Sequence, residues 1–206
     1  MRRAVSPPQQ PKRRTKADLA RFAAEVRRDE LGLTEYERLC PYTLAELYGI
    51  TVYSLSDLIR AGCSPETIAF FTTERPDVWS AALVPDGTGQ FILENTAHSR
   101  LRRRSNVGHE MAHLLLEHEP DRILFTADGR ACKDPASAAV EKEATELSGE
   151  LLLPQAAARR AAVRNLTDEQ VADDFDVSVE FARWRMGVTG ARLIAERAAR
   201  KWARPS

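Results

Sequence analysis

A chain of 206 residues with 43% hydrophobic content is long enough to bury a core, either as one domain or as one domain with a small appendage. Its 30 basic and 30 acidic residues cancel, so no net field draws the whole molecule toward nucleic acid or a membrane surface. No apolar run reaches the length of a transmembrane helix, and Cys40, Cys63 and Cys132 are odd in number and scattered, which argues against a disulfide framework or a cysteine-based metal site and predicts a cytoplasmic protein without a membrane partner.

Residues 1–16 carry Arg2, Arg3, Lys12, Arg13, Arg14 and Lys16 without an acid, among prolines and glutamines. This composition predicts a disordered basic arm, and it lacks the apolar stretch a secretory signal needs. From residue 17 to 30, Leu19, Phe22, Ala23 and Val26 recur at helical spacing, and Gly32 closes the helix. A second helical stretch is expected from Thr34 to Cys40, stopped by Pro41. Thr43 then caps a short helix, Leu44 to Tyr48, which ends at Gly49 and feeds a strand, Ile50 to Leu55; Ser56 starts a further helical turn.

Trp79–Val84 and Gln90–Glu94 flank a glycine-bearing turn and predict two paired strands, a platform along which an extended substrate could pair. Asn95, His98 and Arg100 lead into Arg102, Arg103 and Arg104. These arginines read as helix-start or surface charge, or as groups positioning substrate carbonyls; no spacing argument selects an oxyanion partner among Asn95, His98 and Arg100.

The stretch Val107–Pro120, VGHEMAHLLLEHEP, carries His109, Glu110 and His113 in the order H-E-x-x-H inside one apolar helix. On a helix, positions i and i+4 lie about 40° apart and roughly 6 Å along the axis, so both imidazoles can reach one ion. Glu110 is rotated away from the ligand direction, where a base can take a proton from water at the ion. Met111, Ala112, Leu114, Leu115 and Leu116 make the helix central, and Gly108 permits close approach of a neighbour.

Two histidines leave a third ligand to find. His118, five residues past His113 and about 140° round a continuous helix, reads as a capping or packing residue. A second long helix spans Ala136–Leu153, with an apolar stripe of Ala136, Val140, Leu147 and Leu151. Glu143 falls within that stripe, whereas Glu141 and Glu146 rotate to its flanks. A buried carboxylate needs a partner: coordination to the ion held by His109 and His113 supplies one, and an arginine salt bridge is the alternative.

Beyond Pro154, helices are expected at Gln155–Val163, Asp168–Phe175 capped by Thr167, Val179–Met186 opened by Ser178, and Ala191–Ala203. The middle pair reads as helix-turn-helix, but Asp168, Glu169, Asp173 and Asp174 would repel phosphate, so packing or protein docking is favoured over DNA contact.

The motifs N-x-x-H-S-x-x-R-x-R from Asn95 to Arg104, then G-H-E-M-A-H-L-L-L-E-H, then E-K-E-A-T-E-L-S-G-E-L-L-L-P, resemble the ImmA/IrrE family of bacterial metallopeptidases over about residues 17–190. Leu147, Ser148 and Gly149 stand where the family favours Phe-Ala-Ala. The resemblance implies zinc as cofactor, with His109, His113 and Glu143 similar to the family's ligands and Glu110 to its general base. It also implies a protein substrate, a helix-turn-helix repressor, and thereby a part in transcription regulation and stress responses. The expected fold is α+β: a helix-rich, zincin-like domain over 17–154 with a small sheet beside the H-E-x-x-H helix, and a C-terminal helical section over 155–206. The competing class is a catalytically silent, zinc-stabilised module that binds a transcription factor or DNA.

Overall fold

The computed structural model describes residues 14–118, 124–125, 131–132 and 135–202. The fold is α+β and rich in helix, with a three-stranded sheet beside the H-E-x-x-H helix, as the sequence predicts.

Helix α1 (Lys16–Glu25) begins where Thr15 and Asp18 cap each other's backbone amides, and it buries Leu19 and Ala23. It widens into a π turn, Val26–Glu30, before Gly32 closes it at φ 66°. The π turn buries Arg27, whose guanidinium donates to the carbonyls of Leu151, Thr34 and Glu37. That corrects the second predicted helix. Residues 34–40 form no helix, because the Thr34 and Glu37 carbonyls are spent on Arg27 and the Glu37 carboxylate holds the Thr34 amide and hydroxyl. Pro41, read as a stop, instead opens α2 (Pro41–Leu47), where a missing N–H costs nothing.

Strand β1 (Val52–Ser54) leads into a 3-10 turn, Leu55–Ala61, that Ser54 rather than Ser56 caps, in reciprocal bonds with Asp57. Then come α3 (Pro65–Ala69), a π turn at Phe70–Glu74 and a 3-10 turn at Pro76–Val78. Strands β2 (Ala81–Asp86) and β3 (Gly89–Glu94) form the predicted hairpin, turning through Gly87 at φ 59°. The sheet order is β1-β3-β2; β1 runs parallel to β3 and β2 antiparallel, with Ile92 of β3 opposite both Val52 and Leu83. Among the described residues, one side of β2 is therefore an open edge.

Helix α4 (Arg100–Leu115) lies beside β2 and β3, and α5 (Pro135–Leu152) packs against both α4 and α1. Two short strands, β4 (Leu124–Phe125) and β5 (Ala131–Cys132), pair antiparallel between them. Val107, Met111 and Ala112 of α4 meet Ala144, Leu147, Leu151 and Leu152 of α5 in the core. The two helices come close because Gly108 has no side chain: a Cβ there would lie 3.1 Å from Leu152 Cδ1.

The C-terminal helices are α6 (Gln155–Val163), α7 (Asp168–Phe175), α8 (Val179–Val188) and α9 (Ala191–Trp202). They are fastened to the rest by charge. Asp176, in the left-handed conformation between α7 and α8, pairs with Arg100 and Arg104 at the start of α4. Arg185 of α8 is fully buried against α5, donating to the Leu153 carbonyl and pairing with Glu146 and Glu150. The expected basic arm falls for residues 1–13 outside the described residues, whereas Arg14 and Lys16 pair with Glu143 and Glu146 of α5. Among the described residues no helix is long and apolar enough to cross a membrane.

Candidate metal centre

Helix α4 presents His109 and His113 on one face, as their four-residue spacing requires. Their Nε2 atoms stand 3.1 Å apart. The carboxylate that α5 brings to them is Glu141: its Oε2 is 3.1 Å from His109 Nε2 and its Oε1 is 3.3 Å from His113 Nε2. In a tetrahedral site with ligand bonds near 2.0 Å, neighbouring donors sit about 3.3 Å apart, so the two imidazole nitrogens, each with one oxygen of the Glu141 carboxylate beside it, are spaced as a zinc site needs. The residues fit the ion.

Glu143, expected as the third ligand, is not brought to the histidine pair. Two residues apart on a helix means about 160° of rotation, so Glu141 and Glu143 leave opposite flanks of α5's buried stripe, and it is Glu141's flank that meets the histidine pair. Glu143 instead accepts the Arg14 amide at 3.3 Å, lies 3.6 Å from the Arg14 guanidinium and stands 3.8 Å from His118 Nε2. The arginine pairing weighed as its alternative is what the geometry holds.

Glu110 lies between the cluster and β2: it feels the charges of His109 and Glu141, and its Oε2 accepts the Leu83 amide at 2.9 Å. Burial pushes its carboxyl above the ordinary range; the neighbouring His109 charge and the Leu83 hydrogen bond oppose the shift. Burial, then the charge of His109, pushes His113 down to about 4, so its imidazole is neutral at neutral pH and keeps a lone pair for a metal.

His118, read as a capping or packing residue on an uninterrupted helix, lies within the cluster. The helix ends at Leu115, Glu117 turns left-handed at φ 54°, and the His118 amide folds back onto the His113 carbonyl at 3.0 Å. Its Nδ1 thereby reaches 3.1 Å from His113 Nδ1. No sequence signal marked that reversal.

The polar residues before α4 are spent on structure. Asn95 donates to the carbonyls of Phe71, Pro76 and Trp79, and His98 Nε2 lies 2.9 Å from the Pro76 carbonyl, so both fasten the loop ahead of β2. Arg102 pairs with Asp77, Arg103 with Glu94, and Arg104 with Asp176 and the Leu39 carbonyl. All three hold elements together, which accounts for a charge run that sequence left between surface and substrate.

No curated protein matches the chain. The profile of a peptidase family described as the IrrE N-terminal-like domain matches residues 45–186, well over half of the chain and inclusive of α4, α5 and the sheet. The chain therefore belongs to the IrrE N-terminal-like peptidase family, a family of metallopeptidase type.

Proposed function

We propose that the protein is a zinc-dependent endopeptidase in which His109, His113 and Glu141 hold the ion and Glu110 is the general base. The observation that carries this reading is the convergence of three side chains from two different helices, the His109 and His113 Nε2 atoms 3.1 Å apart, with one Glu141 carboxylate oxygen 3.1 Å from the first and the other 3.3 Å from the second. Three histidine or carboxylate donors with room for a further ligand are the arrangement of catalytic rather than structural zinc. When bound there, the ion supplies Lewis acidity toward a peptide carbonyl and makes water a nucleophile at neutral pH.

The chain's own residues supply the rest. Glu110, with its basicity raised by burial, takes the proton from the attacking water and returns it to the departing amine. Its Oε2 is pinned by the Leu83 amide, so the carboxylate is oriented before substrate arrives. The open edge of β2 offers backbone groups to an extended segment of a protein substrate, which suits cleavage in a loop or linker. A helix-turn-helix repressor, implied by the family resemblance, is the substrate we put forward.

The α7–α8 pair supports packing over DNA contact in this reading. Arg185 is buried, Arg183 is paired with Asp168, and Arg192 of α9 shares the same carboxylate. A protein substrate is tested by incubating the zinc-loaded chain with candidate repressors beside its Glu110→Gln variant. Cleavage by the first and not the second supports hydrolysis; identical behaviour of the two overturns it in favour of a zinc-stabilised binding module.

A further inference from the structure

We propose that His118 and Glu143 form a relay behind the metal site that fixes the ring of His113, with Glu143 held in turn by Arg14 at the foot of α1. The inference rests on the ligand set proposed above. His113 faces Glu141 and His109 through Nε2, so its ring proton must sit on Nδ1 when Nε2 binds an ion. The atom within reach of that proton is His118 Nδ1, at 3.1 Å. His118 must then accept through Nδ1 and carry its own proton on Nε2, the nitrogen that stands 3.8 Å from Glu143 Oε2.

Glu143 closes the series by taking the Arg14 amide at 3.3 Å, with the Arg14 guanidinium 3.6 Å away. His113 and His118 thus each have one allowed proton position, set from the ion outward, and Glu143 meets the His118 proton at the longer reach of an ion pair. The side chains of His118 and Glu143 are only 9% and 14% exposed, so water does not readily substitute for either partner. His118 cannot itself join the ion, because it meets His113 on the ring edge opposite Nε2. Its action passes through His113, which makes it a positioning residue: it locks the tautomer and the ring plane and makes the ligand nitrogen a better donor. The same chain of contacts ties metal loading to the seating of α1 on α5.

The test is zinc affinity of the full chain, measured by competition against a chromophoric chelator for wild type, His118→Phe, His118→Gln, Glu143→Gln and Glu141→Ala. His118→Phe should bind one zinc about 10- to 100-fold more weakly. His118→Gln, whose amide oxygen can still accept from His113 Nδ1, should recover part of that loss, a rescue that a mere packing role would not give. Glu143→Gln should weaken binding in the same direction and by less. Wild-type affinity in His118→Phe overturns the relay, and so does failure of that variant to take zinc at saturation, which would make His118 a ligand. The ligand set is judged apart from this: Glu141→Ala that keeps a full equivalent at wild-type affinity removes the reading on which the relay stands.

Discussion

The Glu110 carboxylate and the Leu83 amide are joined at 2.9 Å, so the base proposed for catalysis and the open edge of the sheet move as one unit. Leu83 pairs with Ile92, and two residues on, Pro85 stands opposite Gln90; a proline has no amide for the ladder, so odd-numbered amides of β2 face away from β3. Glu110 occupies one of these outward positions. An amide side chain can accept the same hydrogen bond, so Glu110→Gln should keep zinc content, fold and the β2 contact while lowering the single-turnover cleavage rate by about 100- to 10,000-fold. Metal analysis and cleavage measured on one preparation check both halves.

The two carboxylates of α5 that compete for the ligand role should separate cleanly by metal content. Glu141→Ala removes one of the three proposed donors and should leave zinc well below one equivalent after dialysis. Glu143→Ala should still take up one equivalent at saturating zinc. Equal depletion in both variants would undo the assignment.

Arg185 and Glu150 are a pair buried between α8 and α5, with side chains 0% and 7% exposed. Arg185→Met strands the Glu150 carboxylate in the interior and should cost about 3–5 kcal/mol in urea unfolding. Adding Glu150→Gln removes the stranded charge while still accepting the Gln155 amide that Glu150 holds, and should restore a substantial part of the loss. A double variant no more stable than Arg185→Met would show that the arginine acts through packing alone.

Acid should loosen the clasp between α4 and the α7–α8 turn. The Arg100 hydrogen bonds, opposed by burial and assisted by the charges of Arg104, Arg100 and Arg38, hold the Asp176 carboxyl below its ordinary value of 3.8. A carboxyl depressed in the folded state contributes stability that is present above the unfolded value and lost as pH falls through the folded one. The urea midpoint of wild type should therefore drop more steeply below about pH 4 than that of Asp176→Asn, which has no such charge to lose. Asparagine suits the left-handed backbone at this position, φ 54°, so the comparison isolates charge.

What could be read from sequence follows the range of the interactions involved. His109, Glu110 and His113 were legible because one helix fixes their mutual geometry, and the hairpin and the helices after Pro154 announced themselves through turn glycines and capping residues. The choice between Glu141 and Glu143 was not legible, since it depends on which flank of α5 meets α4, a tertiary matter that a helical wheel does not contain. The stripe itself misled, because Glu143 is covered by Arg14 and His118 and so resembles a core-facing residue. His118 escaped because a wheel drawn past Leu115 assumes a helix that has already ended. Residues 34–40 have helical propensity, and one distant guanidinium overrides it.

Gly108 immediately precedes His109, one of the proposed ligands, and lies against Leu152, in the helix that carries Glu141. The aperture between the two donor-bearing helices is thus gauged by the absence of a methyl group. A single added carbon would press on Leu152 while changing none of the proposed donors, so the spacing of the proposed site depends in part on the one residue there that has no side chain.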